Sequence, residues 1–217
     1  MFFSFSFGSL FDEAKEAIKK NEFQKAIKLL KKSARQGNDN ALFELGKIYF
    51  EGKVVKKDLI KAMEYFKMVA DYGNIKAKYN VATIYARKDY KKHNYIKAYN
   101  IFLELAKQNH GASQNKIGLF LLYGLGEIDK DYKKALKWFE YAYFKNRYKP
   151  AVCNLSYMFA NGYGAMFNFG RAAHLARIGI KEGYPFCKKV YDEYKLHKYK
   201  KDKGFKYFRG YYSDFKD

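Results

Sequence analysis

Apolar and polar positions alternate along this chain with a helical period, and the pattern recurs. Between Asp58 and Gly73, Tyr65, Phe66, Val69 and Ala70 fall three, four, seven and eight residues after Ala62, which puts them on one face of a helix. The same offsets return as Ile101, Phe102, Leu105 and Ala106 after Ala98, and as Trp138, Phe139, Ala142 and Tyr143 after Ala135. Each of these alanines follows a basic residue, and the dipeptides Lys25-Ala26, Lys61-Ala62, Lys97-Ala98, Lys134-Ala135 and Arg171-Ala172 are spaced by 36, 36, 37 and 37 residues. Eleven residues after the alanines stand Gly37, Gly73, Asn109, Asn146 and Gly183. A helix that stops there needs a residue with positive φ, which Gly adopts freely and Asn tolerates better than most. Four residues before the alanines lie Asp58, Asn94, Asp131 and Asn168, with Glu22 in the first repeat. Asp and Asn are good N-caps because the side-chain oxygen accepts from free amides of the first turn. The columns therefore predict one helix per repeat, helix B, with both ends specified.

A second set of columns precedes it. A small residue opens each at Ala41, Ala77, Ser113 and Ala151, followed four later by Leu45, Val81, Ile117 and Leu155, then by Gly46, Ala82, Gly118 and Ser156. Tyr49, Tyr85, Leu121 and Phe159 complete the set. Small residues at fixed spacing from large ones allow two helices to approach closely. This is helix A, closed by Gly52, Gly124 and Gly162, with Lys88 the exception. The prediction is an all-α chain of about five antiparallel helix hairpins. The units fall at about 10–37, 41–73, 77–109, 113–146 and 151–183, with a capping helix at 187–195, in one domain spanning 1–195. A hairpin with one exposed apolar side is covered by the next, which is the logic of an α-solenoid.

On these columns the chain resembles the Sel1-like repeat family, relatives of the tetratricopeptide repeat. ALFELGKIYFEGKVVKKDLIKAMEYFKMVADYG at 41–73 is similar to one such repeat, and SQNKIGLFLLYGLGEIDKDYKKALKWFEYAYFKN at 113–146 nearly as much. The units at 77–109 and 151–183 are degenerate, the former without its loop glycines and the latter with Leu155-Ser156 in place of Leu-Gly. The resemblance implies a superhelix that holds a partner protein or peptide on a concave face lined by helix A. Transferred onto this sequence, that face takes Phe43, Lys47 and Phe50 from one unit and Tyr79, Thr83 and Arg87 from the next. It continues with Asn115, Leu119 and Tyr123, then Cys153, Tyr157 and Asn161. Aromatic rings mixed with amide and cationic donors suit an interface core and are poor for acid–base chemistry. Cysteine-rich members of the family bridge the end of one helix B to the start of the next helix A, and no helix B here carries a cysteine.

Composition changes this picture little. Aromatics make up 20% of the residues and there are two prolines, so the chain has area to bury and few helix breakers. The formal charge of +21 would suit nucleic acid or an anionic surface, and this is the alternative function, drawing on the basic aromatic tail at 196–217. Abundant Lys, Asn, Tyr, Phe and Ile together are also what an AT-rich genome supplies, and lysines such as Lys28, Lys56, Lys91 and Lys133 recur in each repeat as a solvated outer face. The tail combines Tyr199, Phe205, Tyr207, Phe208, Tyr211, Tyr212 and Phe215 with lysines, and is expected to cap the last hairpin.

Candidate chemistry is sparse. Cys153 and Cys187 are too few for a disulfide framework and are expected as two buried or half-buried thiols. Histidines at 93, 110, 174 and 197 show no metal-ligand spacing, so neither metal nor cofactor is implied. Ser113–Lys116 and Ser213–Lys216 match SxxK without its companion motifs, and chance among 7 serines and 37 lysines supplies on the order of one match. Gly124-Leu-Gly126 and Gly162-Tyr-Gly164 read as inter-helix turns, not phosphate loops. No enzyme activity follows. No apolar stretch is long enough to span a membrane, and MFFSFSFGSLF lacks the basic start and cleavage site of a signal peptide. The expectation is a cytoplasmic monomer, with a periplasmic or secreted protein as the alternative.

Overall fold

A computed structural model describes residues 7–200 of the chain. The chain divides into two compact units, with the division between Leu105 and Ala106.

The N-terminal unit holds α1 (Phe7–Lys19), α2 (Phe23–Arg35), α3 (Asp39–Glu51), α4 (Leu59–Ala70), α5 (Ile75–Tyr85) and most of α6 (Tyr95–Lys107). Pairs α1–α2 and α3–α4 form hairpins, and α3 also packs on α2. The repeat alanines Ala26, Ala62 and Ala98 are at most 1% exposed, and Phe66 and Phe102 are fully buried beside them. Asp58 caps α4 by accepting from the amides of Ile60 and Lys61, and Asn94 accepts from Lys97 N at 2.8 Å. Glu22 makes no such bond, in keeping with its place outside the Asp/Asn column. The first helices of the hairpins start earlier than their small residues. Asn38 and Asn74 are their N-caps, accepting from Ala41 N and Ala77 N at 3.1 and 3.0 Å.

Gly46 is the reason α3 and α4 approach closely. A Cβ there would lie 2.7 Å from Cε1 of Phe66, closer than packed atoms approach.

The C-terminal unit holds α7 (Gly111–Tyr123), α8 (Tyr132–Glu140), α9 (Ala151–Asn161), α10 (Phe169–Lys181) and α11 (Pro185–Glu193). Hairpins α7–α8 and α9–α10 repeat the arrangement, with Ala135 and Ala172 fully buried and Asp131 and Asn168 capping the second helices. α8 continues into a π turn, Tyr141–Lys145. That turn moves the helix end one residue on: the positive φ expected at Asn146 falls on Arg147 at 55°, and Asn146 has φ −102°. Gly37, Gly73, Asn109 and Gly183 keep the positive φ that the column predicts.

α11 packs on both α9 and α10. Here the structure corrects the reading of the cysteines as thiols: Cys153 on α9 and Cys187 on α11 form a disulfide, with Cα atoms 4.7 Å apart. Both are buried, and Gly179 on α10 makes the room, because a Cβ there would collide with Cys187 Sγ. After α11 a 3₁₀ turn, Leu196–Lys198, leads to Tyr199, whose ring stacks on Phe169 at 4.9 Å. Arg177 donates to the Tyr199 carbonyl at 2.8 Å. The rest of the predicted C-terminal cap, the Ser213 motif and the first six residues lie outside the described residues. All secondary structure among the described residues is helix, and no helix there is long and apolar enough to cross a membrane.

Candidate partner-binding face

In the N-terminal unit the predicted residues sit half-buried on α3 and α5 or just beyond. Phe43 and Phe50 lie one turn to either side of Gly46, so their rings flank Phe66 at 5.5 and 6.3 Å. Lys47, between them, reaches back one turn to both carboxylate oxygens of Glu44 at 2.9 and 2.8 Å. On α5, Tyr79 rests on Phe102 at 5.4 Å, and the Thr83 hydroxyl donates to the Tyr79 carbonyl at 2.9 Å.

Arg87 leaves the end of α5 and grips Asp89 with two parallel N–H groups at 2.8 and 2.7 Å. Lys57 adds a third donor to the same carboxylate at 2.9 Å. Hydrogen bonds from Arg87 and then Lys57 hold the Asp89 carboxyl far below the usual carboxylate range. The Arg87 guanidinium also lies 5.8 Å from the Phe50 ring. The structure thus joins Phe50 and Arg87 into one patch and adds Asp89, which no residue column marks, and Lys57, which the repeat pattern assigns to the solvated outer face. Both predicted cations, Lys47 and Arg87, carry a carboxylate partner, so neither presents a bare charge.

The C-terminal unit gathers its residues more tightly. Tyr157 on α9 stands with Tyr163, Tyr194 and Phe186 at ring distances of 6.0, 6.3 and 6.0 Å, the two tyrosines meeting it edge-on. Burial, and then its tyrosine neighbours, pushes the Tyr157 hydroxyl up to about 12. It is a neutral phenol under all physiological conditions. Tyr123, at the end of α7, is exposed, and partial burial, then Tyr163 and Tyr194, raise its hydroxyl above the ordinary value. Asn161 donates to the Tyr157 carbonyl at 2.9 Å and accepts from the Tyr194 hydroxyl at 2.9 Å. Leu119 is half-buried on α7.

Two members of the predicted set are not on offer to a partner. Asn115 is buried, and its side-chain oxygen accepts from the Asn154 amide at 2.7 Å. Cys153 is in the disulfide. Tyr163, Tyr194 and Phe186 were missed because their neighbourhood depends on how α11 docks against α9. Only the position of Tyr163 between two loop glycines hinted at a fixed role.

Catalytic groups do not converge here. The Ser113 hydroxyl is fully buried and bonded to His110 Nδ1 at 2.8 Å. Burial lowers the Lys116 ammonium and the His110 ring below their ordinary values, as expected for groups packed against apolar neighbours. Among the described residues no group of three or more His, Cys, Asp or Glu could hold a metal ion.

The Sel1 repeat family profile matches residues 11–38, 39–74, 75–110, 111–143 and 149–184. Four of these segments coincide with the hairpins α1–α2, α3–α4, α7–α8 and α9–α10, the third spans α5 and α6, and α11 follows the last of them. Among solved structures the chain is similar to a Sel1 repeat protein from Oxalobacter formigenes, with a TM-score of 0.66, 24% identity, and 88% of this chain and 79% of that one covered. It is also similar to c5321, a protective antigen present in uropathogenic Escherichia coli strains and displaying an SLR fold, with a TM-score of 0.67, 26% identity and 83% of this chain covered. The match spans 38% of that longer chain. A putative Sel1 repeat protein from Klebsiella pneumoniae gives a TM-score of 0.56 at 19% identity, covering 87% of this chain and 93% of its own. No curated protein sequence matches the chain.

Proposed function

Since this chain belongs to the Sel1 repeat family, whose repeats commonly serve as protein-interaction scaffolds, we propose that it is a non-catalytic scaffold holding a partner protein or peptide against the first helices of its hairpins. The observation that carries this reading is the convergence of Tyr157 and Asn161 with Tyr163 and Tyr194. Rings held edge to face are rigid, so a partner loses little entropy in ordering them, and hydroxyls at their rims supply hydrogen bonds. Aromatic anchors of this kind dominate interface energetics.

The first-helix cations favour a protein over nucleic acid as the partner. Lys47 and Arg87 are already paired with Glu44 and Asp89, so this face recognises shape and polar contacts more than bulk negative charge.

A pull-down from the source cell at moderate salt, followed by identification of the retained protein, supplies the partner. The quadruple change Lys47→Ala, Tyr79→Ala, Arg87→Ala and Tyr157→Ala is then expected to abolish binding with helicity intact. Undiminished affinity in a folded variant would move the site off this face.

A further inference from the structure

We infer that the groove between α4 and α6, floored by α5, is a second docking surface, and that it takes an acidic segment of a protein in which carboxylates flank an apolar side chain. It is separate from the face above. Lys78, Val81 and Tyr85 line it from α5, whereas Tyr79 and Thr83 point from the other side of the same helix. The groove encloses about 630 Å³ within the N-terminal unit.

Its chemistry selects the occupant. The floor is apolar, made by Ala70, Val81, Ile101 and the Tyr85 ring. Lys67 from α4 and Lys97 from α6 hold their ammonium groups 5.8 and 5.9 Å from the centre of that ring. Unlike Lys47 and Arg87, these two lysines have no carboxylate within ion-pair distance among the described residues. Lys78, by contrast, is engaged by Glu104. Two unneutralised ammonium groups on either helix, above an apolar trough, are complementary to carboxylates on either side of a leucine or phenylalanine. A nucleic-acid backbone fits less well, because a continuous run of phosphates brings no aliphatic side chain to bury in the apolar trough between the two lysines.

The test uses the full chain and a fluorescein-labelled synthetic peptide of alternating glutamate with leucine and phenylalanine, read by fluorescence anisotropy. A polyglutamate peptide and oligodeoxythymidine of equal charge serve as comparison probes. The alternating peptide is expected to bind more tightly than either, and the double reversal Lys67→Glu with Lys97→Glu to weaken it by roughly tenfold or more. Ile101→Gln is expected to weaken the alternating peptide and leave polyglutamate unchanged. Circular dichroism confirms that each variant is folded. Tyr157→Ala, in the C-terminal unit, is expected to bind the peptide normally, so failure of one surface is distinguishable from failure of the other. Absence of peptide binding, equal affinity in the double reversal, or tighter binding of oligodeoxythymidine that the reversal abolishes would each overturn the assignment, the last in favour of nucleic acid.

Discussion

Asn154 on α9 donates its side-chain amide to the carboxamide oxygen of Asn115 on α7 at 2.7 Å, and both residues are buried. The bond ties the first helices of two successive hairpins together. A buried amide that loses its partner keeps its desolvation cost, whereas removing both partners together costs much less. Asn115→Ala should therefore destabilise the protein by about 1–3 kcal/mol, with Asn115→Leu combined with Asn154→Leu closer to wild type. Urea denaturation of Asn115→Ala, of each single leucine change and of the double leucine variant measures this, and additive losses from the two leucine changes would show that the bond is not the source.

Gly118 on α7 faces Phe139 on α8, where a Cβ would lie 2.6 Å from the ring. Alanine is the better helix former, yet Gly118→Ala is expected to cost about 1–3 kcal/mol because the ring must leave its site. Adding Phe139→Leu should recover part of that loss, so the two changes combined should be less costly than their sum. The thermal midpoints of the double-mutant cycle decide it.

The Cys153–Cys187 disulfide closes a loop of sequence separation 34, for which chain entropy gives about 3–4 kcal/mol of stabilisation. Purified without reductant, the protein should show no free thiol after denaturation, and dithiothreitol should lower its melting temperature. Cys153→Ser with Cys187→Ser should match the reduced protein. An identical melting curve with and without reductant would mean that α11 is held by packing alone. Disulfides persist in oxidising compartments, so thiol titration of material trapped at harvest also bears on where the protein resides.

Glu140 ends α8 half-buried, and burial pushes its carboxyl up to about 7, against the opposing pull of Arg171 and then Lys137. A carboxyl whose folded value is raised binds more protons in the native state, so its ionisation lowers stability as pH climbs from about 4.5 to about 7. Below that window the group is protonated in both states and has no effect. Glu140→Gln should thus stabilise the protein at pH 8 by up to about 3 kcal/mol and change little at pH 4. A variant less stable at pH 8 would show that the ionised carboxylate is a net favourable partner of Arg171.

Much of the hairpin architecture was legible in the residue columns because helix ends and helix faces are local chemistry. Asp58, Asp131 and Asn168 cap the helices that their position announces, and each needs only its own next turn to do so. Asn38 and Asn74 are equally local caps, standing three positions before the small residues at which the column pattern opens the helices. The pairing of Lys47 with Glu44 also lies within one turn. The shift of the helix end from Asn146 to Arg147 was not visible, since a π turn adds one residue without any change of residue type that marks it.

What the sequence by itself determined is the period, the capping chemistry and the core columns, because these repeat with the chain and are satisfied between residues a few positions apart. Tertiary structure alone decided which polar groups of the first helices remain available. Whether Asn115 faces a partner or Asn154 depends on the contact between α7 and α9, 39 residues apart in sequence. Whether two cysteines are thiols or a bond depends on α11 folding back onto α9 with Gly179 beneath it. Such outcomes are set by distance in space between segments that share no local pattern, and a residue column carries no record of that distance.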